Sequence, residues 1–201
     1  MLTKLKQRVQ AMLATEAKAA QRIGFTPNRV SVIGVILAFL SAVAYTQWQT
    51  SRLYLLLATA LLLLSGFCDA LDGVIARVYQ QATPFGGFLD SLLDRYADAA
   101  VFMGIILGGL CIPVFGIVAL ASSLLVSYAR ARAEAAGVKM ESIGIAERPE
   151  RIIMLAVATI FSLLYDPEIV MNISIVTIAI LATLTVLQRS VYAYAELKKK
   201  E

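Results

Sequence analysis

The chain has 201 residues, 59% of them hydrophobic and 16% charged, with a formal net charge of +4. Soluble domains hold about 45–50% apolar residues, so this composition, with a mean hydropathy of +0.76, excludes an ordinary water-soluble fold as the first reading. Histidine is absent, which removes the commonest general base and zinc ligand.

In chain order, residues 2–23 set Leu, Val, Met and Ala among Lys and Arg at helical spacing. That pattern predicts a helix lying in the headgroup layer on its basic side. Residues 1–25 form this juxtamembrane amphipathic helix, and residues 26–201 a single transmembrane domain. Lys4, Lys6 and Arg8 lead into no short apolar core with a cleavage site, so no signal peptide is expected. Thr26-Pro27-Asn28 breaks the pattern and opens a new helix, because proline fits a first turn. Six apolar runs follow, at 28–48, 52–78, 87–110, 112–133, 151–165 and 169–194, the fifth being the shortest. The predicted fold class is all-α integral membrane, with six transmembrane helices preceded by an N-terminal amphipathic interfacial helix. Cys68 and Cys111 lie inside apolar stretches, lack metal-ligand spacing and read as small core residues.

Lysine and arginine gather in the N-terminal segment, around Arg77, between Arg130 and Arg151, and in the tail. The opposite connections hold only Arg52. By the positive-inside rule both termini and the charged connections face the cytoplasm, in the cell membrane. Gly104, Gly108, Gly109 and Gly116 on the third and fourth spans allow close helix approach.

Hydrophobic patterning does not account for Asp69, Asp72, Asp90, Asp94 and Asp98, with Arg77 and Arg95, near the cytoplasmic ends of the second and third runs. A carboxylate near a bilayer centre costs about 2.5–3.5 kcal/mol, so such a group needs partners, water or metal. Asp69 and Asp72 are spaced i,i+3, and Asp90 and Asp94 i,i+4, which puts each pair on one helix face. Four clustered anions repel unless a divalent cation neutralises them, and oxygen-only ligation suits Mg²⁺ or Mn²⁺. A metal site with two ions is predicted on Asp69, Asp72, Asp90 and Asp94. Gly73, Ala76 and Gly86 leave space for a ligand against the backbone, and Arg77 can fork onto a phosphate. The same residues can instead be helix-packing positions and a snorkelling anchor. Intramembrane acids also occur in cation pathways, although that reading leaves the glycines and Arg77 unexplained. Diphosphate-binding prenyl transfer is a further alternative, disfavoured by the close spacing of the acid pairs.

The run Asp69-x2-Asp72-Gly73-x2-Ala76-Arg77-x8-Gly86-x3-Asp90-x3-Asp94 resembles the complete signature of the CDP-alcohol phosphotransferases. The stretch from Ser127 and Tyr128 through Arg130, Arg132 and Gly137, followed by Glu147-Arg148-Pro149-Glu150-Arg151, resembles the phosphatidylinositol-phosphate and archaetidylinositol phosphate synthase branch. The resemblance implies a CDP-lipid donor (CDP-diacylglycerol or CDP-archaeol), inositol 1-phosphate as acceptor, release of CMP, and a homodimer in the bilayer. It further implies that Asp69, Asp72 and Asp90 bind metal, with Asp94 as ligand, catalytic base or both. Asn28, Asp69, Asp72, Gly73, Ala76, Arg77, Thr83 and Gly86 would meet the CDP moiety. Ser127, Arg130, Arg132, Arg148, Arg151 and Arg189 would meet the acceptor; their arginines also fit plain positive-inside topology. Other acceptors, glycerol 3-phosphate or serine, remain within the family's reach, and no nucleic acid is expected as a partner.

Overall fold

The computed structural model describes residues 15–22, 24–140 and 143–199. Helix α1 covers 15–22, and the rest of the expected headgroup-layer helix lies outside the described residues. It is followed by α2 (Pro27–Thr46), α3 (Leu53–Val78), α4 (Pro84–Leu107), α5 (Pro113–Ala135), α6 (Arg148–Phe161) and α7 (Pro167–Lys198).

All five prolines stand in the first turn of a helix, where the missing N–H has no helical partner to lose. Two starts carry a side-chain cap as well. Thr83 Oγ1 accepts from the Gly86 amide at 2.9 Å, and Asp166 Oδ1 accepts from the Ile169 amide at 3.0 Å. These signals move the third and fifth elements a turn earlier than the apolar runs suggested, to Pro84 and Arg148.

The long helices close into a ring. α2 packs on α3 and α4, α3 on α6, α6 on α7, α7 on α5, and α5 back on α4. Tyr45, Phe102, Ile105, Met171, Ile175 and Ile178 fill the middle, each almost fully buried. Tyr45 Oη and Thr159 Oγ1 satisfy each other there at 2.8 Å. Ala17 of α1 packs with Val30, Leu71, Val74 and Ile75, fixing that helix to the start of α2 and to the end of α3 that carries Asp69 and Asp72.

The glycines of α4 serve this ring. A Cβ on Gly104 would lie 2.5 Å from the Ala42 carbonyl oxygen, and one on Gly108 2.5 Å from that of Tyr45. Gly116 faces Ile106 and Cys111. The close approach expected from these residues is therefore between α2 and α4 and between α4 and α5 of one chain.

Outward faces are apolar, with Ile36, Phe39 and Val43 on α2, Leu57 and Leu64 on α3, and Ile173, Ile180 and Leu187 on α7 all exposed. Such surfaces suit hydrocarbon rather than water. By length and composition α2, α3, α5 and α7 can cross a membrane. α4 has the length, at 24 residues, but carries Asp90, Asp94, Arg95 and Asp98. α6 has 14 residues, about 21 Å of helix. α4 and α6 meet through these charges, since Asp98 of α4 pairs with Arg148 and Arg151 of α6.

Candidate active site

The end of α3 and the start of α4 place the acids face to face. One carboxylate oxygen each from Asp69, Asp90 and Asp94 lies within 4.8 Å of the others. Asp72 lines the same pocket but is buried against α2, where its Oδ2 accepts from Ser31 Oγ at 2.5 Å. Three of the four expected metal ligands therefore converge, and Asp72 lines the same pocket with one oxygen engaged by Ser31. Ligand oxygens at roughly 2.0–2.1 Å from one Mg²⁺ lie no more than about 4.2 Å apart. The three carboxylates meet that requirement after closing by a few tenths of an ångström, so the donor set fits a hard divalent ion.

Beside the acids runs a cleft of about 220 Å³ lined by Asn28, Asp72, Gly73, Ala76, Arg77, Thr83, Gly86 and Asp90. Every residue expected to meet the nucleotide lines it except Asp69, which lines the adjoining acid pocket. Space is tight at Gly86 and ordinary at Gly73. A Cβ on Gly86 would come 3.0 Å from Thr83 Oγ1 and 3.2 Å from Asn28 Oδ1, and one on Gly73 3.5 Å from Arg77 Nη2.

The basic half begins at the N-terminus of α6. Arg148 Nη1 lies 2.9 Å from Asp69 Oδ1 and 2.7 Å from Asp94 Oδ1, while its Nε donates to Asp98 Oδ1 at 3.0 Å. Arg151 donates from Nη2 to Asp98 Oδ2 at 2.8 Å and from Nη1 to the Ala146 carbonyl at 3.0 Å. Asp98 thus holds two arginines, one on each oxygen. Three buried polar atoms are left without a hydrogen-bond partner among the described residues, and two of them belong to this pair of arginines, Arg148 Nη1 and Arg151 Nε, the third being Ser123 Oγ on α5. Nη1 touches two carboxylates, but neither contact has hydrogen-bond geometry.

Arg189 is placed differently from expectation. Its Nε donates to the Ile143 carbonyl at 2.7 Å, Nη1 to the Val126 carbonyl at 2.6 Å, and Nη2 to Glu147 Oε1 at 3.0 Å. It is 2% exposed. One turn earlier, Thr185 Oγ1 accepts from the amides of Ile145 and Ala146, at 3.2 and 3.1 Å. Gly144, at φ +137°, passes so close that a Cβ would meet Thr185 Cγ2 at 2.6 Å. Together these contacts pin the segment that delivers Arg148 and Arg151. Arg130 is exposed and paired with Glu134 at 2.9 Å, Arg132 lines an outer groove between α5 and α7, and Ser127 is half-buried on α5.

Residues 25–187 match the family profile of the CDP-alcohol phosphatidyltransferases. The chain belongs to that family. It is 39% identical over 190 residues to an archaetidylinositol phosphate synthase of Pyrococcus horikoshii, covering 94% of each chain. It is also 34% identical over 179 residues to a phosphatidylinositol phosphate synthase of Mycobacteroides abscessus, covering 86% of this chain and 79% of the relative. Among solved structures, the Mycobacterium tuberculosis phosphatidylinositol phosphate synthase with CDP-DAG bound superposes with a TM-score of 0.78 at 26% identity, covering 92% of this chain and 94% of that one. The same enzyme in complex with manganese and citrate gives 0.77, with 90% and 88% covered. The chain is thus a transferase of phospholipid biosynthesis and a multi-pass membrane protein, and its Asp cluster is suited to divalent metal.

Three elements of this phosphatidyltransferase site escaped the sequence reading. Asp98 continues the i,i+4 spacing of Asp90 and Asp94, a signal that was present but carried no assignment. Ser31 sits in an apolar run with nothing in the sequence to pair it with Asp72. Thr185 is one hydroxyl among several on α7, and its partners are backbone amides about forty residues away.

Proposed function

We propose that the chain transfers the lipid-bearing phosphoryl group of a CDP-lipid to inositol 1-phosphate and releases CMP. The observation that carries this reading is the meeting of two opposite charge sets: Asp69, Asp90 and Asp94 share one pocket with Arg148, and Arg151 joins Arg148 on Asp98. A diphosphate donor needs the first and a phosphorylated acceptor the second. The names of the relatives point the same way.

In this mechanism the acceptor hydroxyl oxygen bonds to the phosphorus that bears the lipid, and the bond from that phosphorus to the CMP oxygen breaks. Asp94 takes the hydroxyl proton, the role left open by the absence of histidine. Arg77 and the Gly73–Gly86 cleft hold the nucleotide phosphates, and Arg148 and Arg151 orient the acceptor phosphate. Asp69, Asp90 and Asp94 would hold the divalent metal, Mg²⁺ or Mn²⁺ and expected as two ions, which would supply neutralisation of charge on the pyrophosphate and the leaving group. Arg189 serves the acceptor by seating the segment that carries those two arginines.

α4 and α6 complete a six-helix crossing as members of the ring, since Asp98 of α4 pairs with Arg148 and Arg151 of α6 inside it and not toward lipid. The basic ends, and with them the site, face the cytoplasm, where the N-terminal helix lies along the headgroups. The protein works as a homodimer. The test is CMP release by purified protein with Mg²⁺, CDP-archaeol or CDP-diacylglycerol as donor, and inositol 1-phosphate against glycerol 3-phosphate and serine. Release with inositol 1-phosphate alone is expected; equal release with serine would remove the acceptor assignment, and no release with any acceptor the reaction itself.

A further inference from the structure

Arg148 reaches into the acid pocket from α6 and puts a full positive charge between Asp69 and Asp94, at 2.9 and 2.7 Å. Those are two of the three carboxylates that converge on a metal position. What remains of the pocket is about 10 Å³, room for roughly one water-sized group. The contacts of Nη1 lack hydrogen-bond direction, so charge alone holds it there. Nε, by contrast, is anchored on Asp98 at 3.0 Å, and the neighbouring Arg151 Nε is a buried donor with no hydrogen-bond partner among the described residues.

We propose that Arg148 is an exchangeable internal cation: it neutralises Asp69 and Asp94 until divalent metal displaces Nη1, which then turns, about its Asp98 anchor, toward the acceptor phosphate beside Arg151. The proposal rests on the metal and acceptor roles given above and adds an order to them. A divalent ion and the guanidinium compete for the same two oxygens, and repulsion between them drives Nη1 away once the ion is bound. Metal binding and acceptor binding are then coupled through one side chain, and the coupling runs equally in both directions.

Mn²⁺ binding to the purified full-length chain in detergent, followed by the EPR signal of free Mn²⁺ without nucleotide, tests this apart from turnover. Arg148→Gln is expected to lower the Mn²⁺ Kd at least about thirtyfold, as for loss of a buried competing charge. Arg95→Gln, which removes a half-buried charge 3.6 Å from Asp94 on the outer side of the pocket, should lower it by at most about fivefold. Equal effects of the two substitutions would reduce Arg148 to background electrostatics and overturn the proposal, as would an unchanged Kd in Arg148→Gln. In the wild-type chain, inositol 1-phosphate should tighten Mn²⁺, and Arg148→Gln should abolish the coupling; absence of coupling in wild type overturns the exchange even where the variant fails to fold. No saturable Mn²⁺ binding to the wild-type chain would remove the metal reading itself, whereas CMP release with another acceptor alone would leave the Mn²⁺ competition standing and change only the ligand.

Discussion

Asp69, Asp90 and Asp94 come from two helices joined by a short turn, and spacing along each helix is enough to aim them at one another. Arg148, Arg151 and Arg189 come from α6 and α7, and each is held by groups remote in the chain: Asp98 of α4, the Val126 carbonyl of α5, and the Ile143 carbonyl. The acid half is therefore a local construction and the basic half a tertiary one. Substitutions in the first should remove chemistry and leave the fold; substitutions in the second should move acceptor binding first.

The largest effect tests the acid half. Asp94→Asn should lower turnover about 10²–10⁴-fold, the range for a lost general base, in a protein whose thermal unfolding is little changed. Retained turnover would move the proton-accepting role to another group. Asp98→Asn comes next and belongs to the basic half, although Asp98 sits one turn beyond Asp94. It should raise the acceptor KM about tenfold, because two arginines lose their shared charged partner, while the donor KM stays near its original value. A parallel loss in both constants would mean that Asp98 works with the acids, and the division between the halves would fail.

The same division explains what could be read from the sequence. The acid pairs were legible because helical period alone sets which residues share a face; only Asp72 stands outside the converging three, with one oxygen engaged by Ser31 of a third helix. The six elements were legible from apolar length, but the starts of α4 and α6 were set by capping and proline at Pro84 and Pro149, not by hydropathy. Arg189 was legible as an arginine near the arginine-rich connection and illegible as a clamp, because its partners are carbonyls 46 and 63 residues away, and carbonyls carry no sequence signal. Gly104 and Gly108 show the limit from the other side. Their spacing announced a close helix approach, and only tertiary structure assigns it to α2 of the same chain.

The smallest effect is the most specific to the basic half. Thr185 is fully buried and touches neither the acids nor, in the mechanism above, the substrates. It supplies one oxygen to the amides of Ile145 and Ala146, two residues before Arg148. Thr185→Val keeps the shape and removes that oxygen, leaving two amides unsatisfied at a cost of about 1–3 kcal/mol. The segment between α5 and α6 should exchange its amide hydrogens faster, and the acceptor KM should rise several-fold with kcat nearly unchanged. Thr185→Ser, which restores the oxygen without the methyl group, should recover the acceptor KM more fully than it recovers thermal stability. Were Thr185 only a packing residue, serine would rescue neither and the KM would not separate from kcat, so the split between the two constants decides whether α7 holds the acceptor arginines in place.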